Sequence, residues 1–168
     1  MILLIESICV CIIFSVLILP QMFCGNPLKQ VFNYPPKIVE RCLQLGLISE
    51  RQTIKSWRVI LLKAIVSLII AFAFAAIVYF INGAQHFIPA FLITYALWNV
   101  GNWYDAIVID CFIFCHSKRV IIPGTEDMQS EYHNYAFHLK QGLLGMLIGL
   151  LVAAAVGGLA ELFNFLAW

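Results

Sequence analysis

The chain is predicted to be an all-α, polytopic integral membrane protein. Four transmembrane helices and one cytoplasmic amphipathic surface helix are expected in a single membrane domain, residues 1–168. Three observations predict this class. First, 62% of the 168 residues are apolar and only 11% are charged, against about 25% charged in an ordinary soluble domain. A soluble chain of this length needs far more polar skin than ten cations and nine anions supply. Second, four apolar runs reach the length of about 20 residues that a helix needs to cross roughly 30 Å of hydrocarbon. Third, the basic residues gather on one side of those runs. Disorder, a nucleic-acid binder and a secreted disulfide scaffold are excluded, and a net charge of +1 points to no charged partner.

The first span covers residues 1–19, interrupted only by Glu6 and Ser7, and is expected to stop at Pro20. It has no basic start and no small-residue cleavage pattern before Cys24, so it reads as an uncleaved span. The connection at about 20–58 is too long to be idle loop. Within residues 37–48, Ile38, Cys42 and Leu45 share a helical face, while Lys37, Glu40 and Gln44 occupy another. An amphipathic helix lying at the membrane surface is expected there. Pro35-Pro36 opens it and Gly46 weakens its end; Ser49 and Gln52 then form a capping-box pattern.

The second span, about 59–81, ends at Asn82-Gly83, and the third, 88–114, is aromatic and unusually polar. The fourth, 141–168, carries Gly145, Gly149, Ala153 and Gly157, small residues at every fourth position. Such a stripe lets another helix approach closely. A helix of the same chain is the expected partner, with a homodimer as the alternative.

All ten Lys and Arg residues lie in or beside the connections at about 20–58 and 115–140, and residues 82–87 have none. By the positive-inside rule those connections are cytoplasmic, and both termini lie outside a plasma (inner) membrane. The bilayer is then the first partner. The basic residues either attract anionic lipid headgroups or serve topology alone.

The third span carries Asn99, Asn102, Asp105 and Asp110. A charge in hydrocarbon costs on the order of 3 kcal/mol even on lenient scales, so both aspartates need partners or water. On a regular helix Tyr95, Asn99, Asn102, Asp105, Asp110 and His116 fall within an arc of about 140°. The connection that follows adds Pro123-Gly124-Thr125, which reads as a tight turn, then Glu126, His133 and His138.

Three readings of this constellation stay open. In the first, Asp105, Asp110, Glu126, His133 and His138 bind a divalent metal. Asp105, Asp110 and His133 then serve a metal-dependent enzyme acting on a lipid or amphiphile at the inner leaflet. In the second, the polar face lines a pathway for a cation or small solute, with Tyr95, Asn99, Asn102 and His116 along the track. In the third, the polar groups only join helices in a structural or accessory subunit. His133 and His138 are five residues apart and would not share a metal from one straight helix. No HExxH, Gly-x-Ser-x-Gly or Walker-type pattern is present.

The six cysteines are expected to be reduced, mostly as small buried groups. Trp57, Tyr79 and Trp168 read as interfacial belt residues. Glu6 and Glu161 are expected to meet water on the outer side.

Overall fold

The computed structural model describes residues 1–49 and 57–166, which are all-helical with no strand among them. Helix α1 (Ile2–Cys24) is followed by a 3₁₀ segment (Pro27–Asn33) and α2 (Pro36–Gln44). Next come α3 (Trp57–Phe80) and α4 (Phe87–Trp103), which continues directly into a π-helix (Tyr104–Phe114). A 3₁₀ turn (Lys118–Val120), α5 (Gln129–Tyr132) and α6 (Tyr135–Leu166) complete the chain. Among the described residues, two helical stretches, Ile2–Cys24 and Gln129–Leu166, pass as long and apolar enough to cross a membrane.

The chain divides into two compact units. The first comprises Met1–Val10, Ser56–Asn102 and Leu143–Trp168. Its core is made of small groups: Ala75 and Val78 of α3, Ala90 of α4, Val156 and Ala160 of α6, with Tyr79 and Ala84 beside them. Small side chains let helix backbones come close, and dispersion between them then supplies the adhesion. The stripe on α6 is filled by α4. Trp98 lies over Gly149 and donates its indole N–H to the Gly145 carbonyl at 2.8 Å. The Asn102 amide rests against Gly145, and the Phe87 ring against Gly157. Ala153 is fully buried. Within this unit the stripe is therefore an intramolecular seam. The outward faces carry large apolar side chains, among them Leu62, Leu68 and Ile69 of α3 and Leu147, Leu151 and Phe165 of α6.

Two acidic residues expected merely to meet water have partners here. Glu161 accepts from the Phe87 backbone N–H at 2.7 Å and lies 3.5 Å from His86 Nδ1. It thereby satisfies an amide of the first turn of α4, a group with no intrahelical acceptor. Glu6 accepts from Asn82 Nδ2 at 2.9 Å.

The second unit comprises Cys11–Lys55 and Trp103–Gly142. Its core joins Met22, Val31, Tyr34, Ile38 and Cys42 to Phe114, Cys115, Val120, Ile122 and Tyr132. The apolar face of α2 is thus covered by the protein's own side chains rather than left for the membrane surface, although Leu45 remains exposed. Pro36 occupies the first turn of α2, where its missing N–H costs nothing. The helix ends in a Schellman motif: Gly46 has φ +68°, its N–H reaches the Leu43 carbonyl, and the Leu47 N–H reaches Cys42. The capping-box pattern that follows runs into residues 50–56, outside the described residues.

Helix α1 does not stop at Pro20 but runs through it to Cys24. Proline removes one donor and crowds the preceding turn. The carbonyl it leaves without a helix donor is that of Val16, four residues earlier; the Gln21 side chain donates from Nε2 to the neighbouring Leu17 carbonyl at 2.8 Å.

Candidate functional site

The π-helix changes the geometry on which the polar face rests. Its hydrogen bonds run from residue i to i+5, as in the Cys115 N–H to Asp110 carbonyl bond of 3.0 Å at its end. More residues fill each turn than in an α-helix, so residues five apart come into register. The arc computed for a regular helix put Asp105 and Asp110 at its opposite edges; the π geometry brings them onto one side. The two carboxylates and His138 are close enough to interact electrostatically. A π segment of 11 residues is unusual, since such geometry normally occurs as single-turn bulges, often at functional sites.

His138, in the first turns of α6, is 3% exposed. Its Nδ1–H donates to Asp110 Oδ2 at 3.0 Å. The rings of Phe114 and Phe137 stand edge-on to the imidazole, with centroids 5.3 and 5.2 Å away. Nε2 is buried without a hydrogen-bond partner. The carboxylate fixes the tautomer and orientation of the ring and leaves Nε2 as the nitrogen that can take up or release a proton. Asp110 is the more accessible member, with its side chain 30% exposed.

The other candidates separate. Glu126 is occupied in its own turn, accepting from the Gly124 N–H at 2.9 Å. His133 is exposed and donates from Nδ1 to the Gln129 carbonyl at 2.8 Å. Its ring meets His116, with centroids 5.5 Å apart, not the aspartates. His116 leaves the expected polar track because the helix ends at Phe114. Its Nδ1 donates to the Phe112 carbonyl at 2.9 Å, and its Nε2 lies 3.3 Å from the Tyr135 hydroxyl. The five-residue ligand set is therefore not brought together. Among the described residues no group of three His, Cys, Asp or Glu side chains is arranged to hold a metal ion.

In the first unit, Tyr95 stacks on Phe91. Asn99 donates to the Tyr95 carbonyl at 2.8 Å, and its Oδ1 is buried without a partner. Thr94 Oγ1, five residues earlier, is likewise buried and unpaired. Orphaned buried oxygens are uncommon in folded proteins and often mark the place of an ordered water or ion.

Sequence reasoning missed a second polar network in the other unit. The Thr125 hydroxyl donates to the Ile122 carbonyl at 2.7 Å and accepts from the Tyr132 hydroxyl at 2.7 Å. Tyr132 in turn accepts from the Ile122 N–H at 2.9 Å. Tyr34 donates to the Val120 carbonyl at 3.0 Å. Burial, reinforced by Tyr132 and Cys42, pushes the Tyr34 phenol well above its ordinary value. Burial also raises Tyr132, against the Ile122 and Thr125 hydrogen bonds. This network holds the Pro123-Gly124-Thr125 turn, where Gly124 takes φ +89°. A tyrosine seven residues after a threonine was the only available hint. On the surface of the unit, Lys37 pairs with Glu131 at 2.6 Å and Arg41 with Asp127 at 3.2 Å. All six cysteines are free.

No protein-family model, no curated protein and no solved structure matches the chain.

Proposed function

We propose that the chain is a four-span membrane protein that moves protons or a small cation, with Asp105, Asp110 and His138 as its transfer centre. The observation that carries this reading is the His138 imidazole: buried, oriented by Asp110, and left with an unpartnered Nε2, with Asp105 close enough to the ring to interact electrostatically. A mere anchor gains nothing from two carboxylates and an imidazole in an apolar segment, where each ionisable group is costly.

In this reading α1, α3, α4 with its π extension, and α6 are the four spans. The 24 residues of α3 make about 36 Å of helix, enough for the hydrocarbon core. The outward-facing leucines, isoleucines and phenylalanines of α1, α3 and α6 face lipid. The basic connections lie in the cytoplasm, by the distribution of Lys and Arg.

A second reading has one observation in its favour. An imidazole held at Nδ1 by a carboxylate is also the arrangement of a general base, so an enzyme acting on an amphiphile at the inner leaflet would use the same pair. Purified protein in liposomes carrying an internal pH dye separates the two. Proton or cation flux driven by an imposed gradient, abolished by Asp105→Asn and by His138→Gln in folded protein, is the expected result. Wild-type protein that carries no flux would overturn the transport reading and leave the catalytic one.

A further inference from the structure

The geometry points to a divalent transition-metal site at His116 and His133, with Zn²⁺ as the representative ion. The residues are distinct from the Asp105, Asp110 and His138 group. Both imidazoles are exposed, and each has its Nδ1 fixed by a backbone carbonyl four residues earlier: Phe112 at 2.9 Å for His116 and Gln129 at 2.8 Å for His133. A carbonyl can only accept, so Nδ1 carries the proton on both rings and Nε2 carries the lone pair. Histidines that ligate metals are oriented in this way, with the distal N–H tied to a backbone carbonyl or carboxylate.

The separation of the rings also fits. Their centroids are 5.5 Å apart and their planes cross at 86°. Two imidazoles on one tetrahedral zinc, each at about 2.0–2.1 Å, put their ring centres about 5 Å apart. A third donor stands alongside. The Tyr135 hydroxyl lies 3.3 Å from His116 Nε2, and the two rings stack with centroids 6.2 Å apart. That hydrogen bond is long, so an incoming metal displaces little. Two protein nitrogens leave the other positions to water or to the Tyr135 oxygen, and the affinity expected is micromolar. Imidazole donors favour Zn²⁺, Cu²⁺ and Ni²⁺ over Mg²⁺ or Ca²⁺.

The pair closes a loop: His116 follows the π-helix, and His133 and Tyr135 flank the start of α6. A bound ion would therefore clamp the two ends of the connection between them. Calorimetry with ZnCl₂ on the detergent-solubilised full chain tests this. One equivalent is expected to bind, and His116→Ala or His133→Ala should each weaken binding by more than the roughly tenfold that even an outer-shell loss causes. His86→Ala, at the other exposed histidine, should bind as wild type. The Cu²⁺ EPR spectrum of the wild-type protein reads the ligands without any substitution and should show two imidazole nitrogens. Absence of Zn²⁺ uptake, wild-type affinity in either alanine variant, or an EPR spectrum with fewer than two imidazole nitrogens would overturn the site.

Discussion

Two buried polar networks in the Cys11–Lys55 and Trp103–Gly142 unit differ in one respect that separates structure from chemistry. Around Tyr132 and Thr125 the donors and acceptors close on one another and on the Ile122 backbone. Around His138 the network is open: Nδ1 is tied to Asp110 while Nε2 has no partner. A closed network makes a buried polar core tolerable and specifies one conformation. An open one leaves a desolvated polar atom, which lowers stability and is retained where that atom has something to do. The first network should therefore be read out in stability, and the second in activity.

The largest stability effect is expected from the closed network. Tyr132→Phe leaves the buried Ile122 N–H without an acceptor and should destabilise by about 1–3 kcal/mol. Thr125→Val should destabilise in the same sense, and the double variant should fall well short of the sum, because the hydroxyls share one network. Thermal unfolding in detergent measures all three; additive losses would show that the hydroxyls act separately.

Alkali should attack the same network next. The Tyr34 and Tyr132 phenols hold their protons more tightly in the folded chain than in the unfolded one, chiefly through burial. Their contribution is fully present below the ordinary phenol value of about 10 and is lost as pH rises from there through the raised folded values. An unfolding midpoint that drops above about pH 10, and drops less in Tyr34→Phe, is the expected titration.

Asp110→Asn should change stability less than either hydroxyl variant, since the asparagine side-chain oxygen still accepts from His138 Nδ1–H and the position is partly open to solvent. A loss as large as that of Tyr132→Phe would erase the distinction between the networks. Smallest of all is the exposed Lys37–Glu131 pair. The Glu131 carboxylate, by hydrogen bond and charge, raises the Lys37 ammonium above its ordinary value. What the pair contributes is present below the ordinary lysine value and fades as pH climbs through the raised one. Glu131→Gln should leave the unfolding midpoint at high salt indistinguishable from wild type, because solvent screens the pair.

Much of this fold was legible in advance. The apolar runs mark the long helices, Pro35-Pro36 and Gly46 bracket α2, and Pro123-Gly124-Thr125 marks its turn. The failures are tertiary. The rule for helix interiors ends the first span at Pro20, yet the helix runs on to Cys24. The apolar stripe of α2 was visible, but not that Tyr34, Phe114 and Tyr132 would cover it. At the candidate site, Asp105, Asp110 and His138 stand out in the sequence, and the fold brings them close enough to interact. The metal reading groups His133 with them although its five-residue spacing from His138 speaks against a shared metal on one straight helix, and the structure sets its ring beside His116. Least legible was the π-helix, because the run 106–109 is compatible with any helical winding and only the altered pitch puts the aspartates in register.

The central claim is that the open network moves charge while the closed one holds the fold. Proton flux through Asp110→Asn in proteoliposomes, normalised to folded protein and set beside Tyr132→Phe, tests it most directly. The account predicts that Asp110→Asn loses about tenfold or more of the flux at near wild-type stability, as expected when a proton-transfer group is removed. Tyr132→Phe should lose stability but keep its flux per folded molecule. Undiminished flux in Asp110→Asn, or a loss that only tracks the fraction folded, would contradict it.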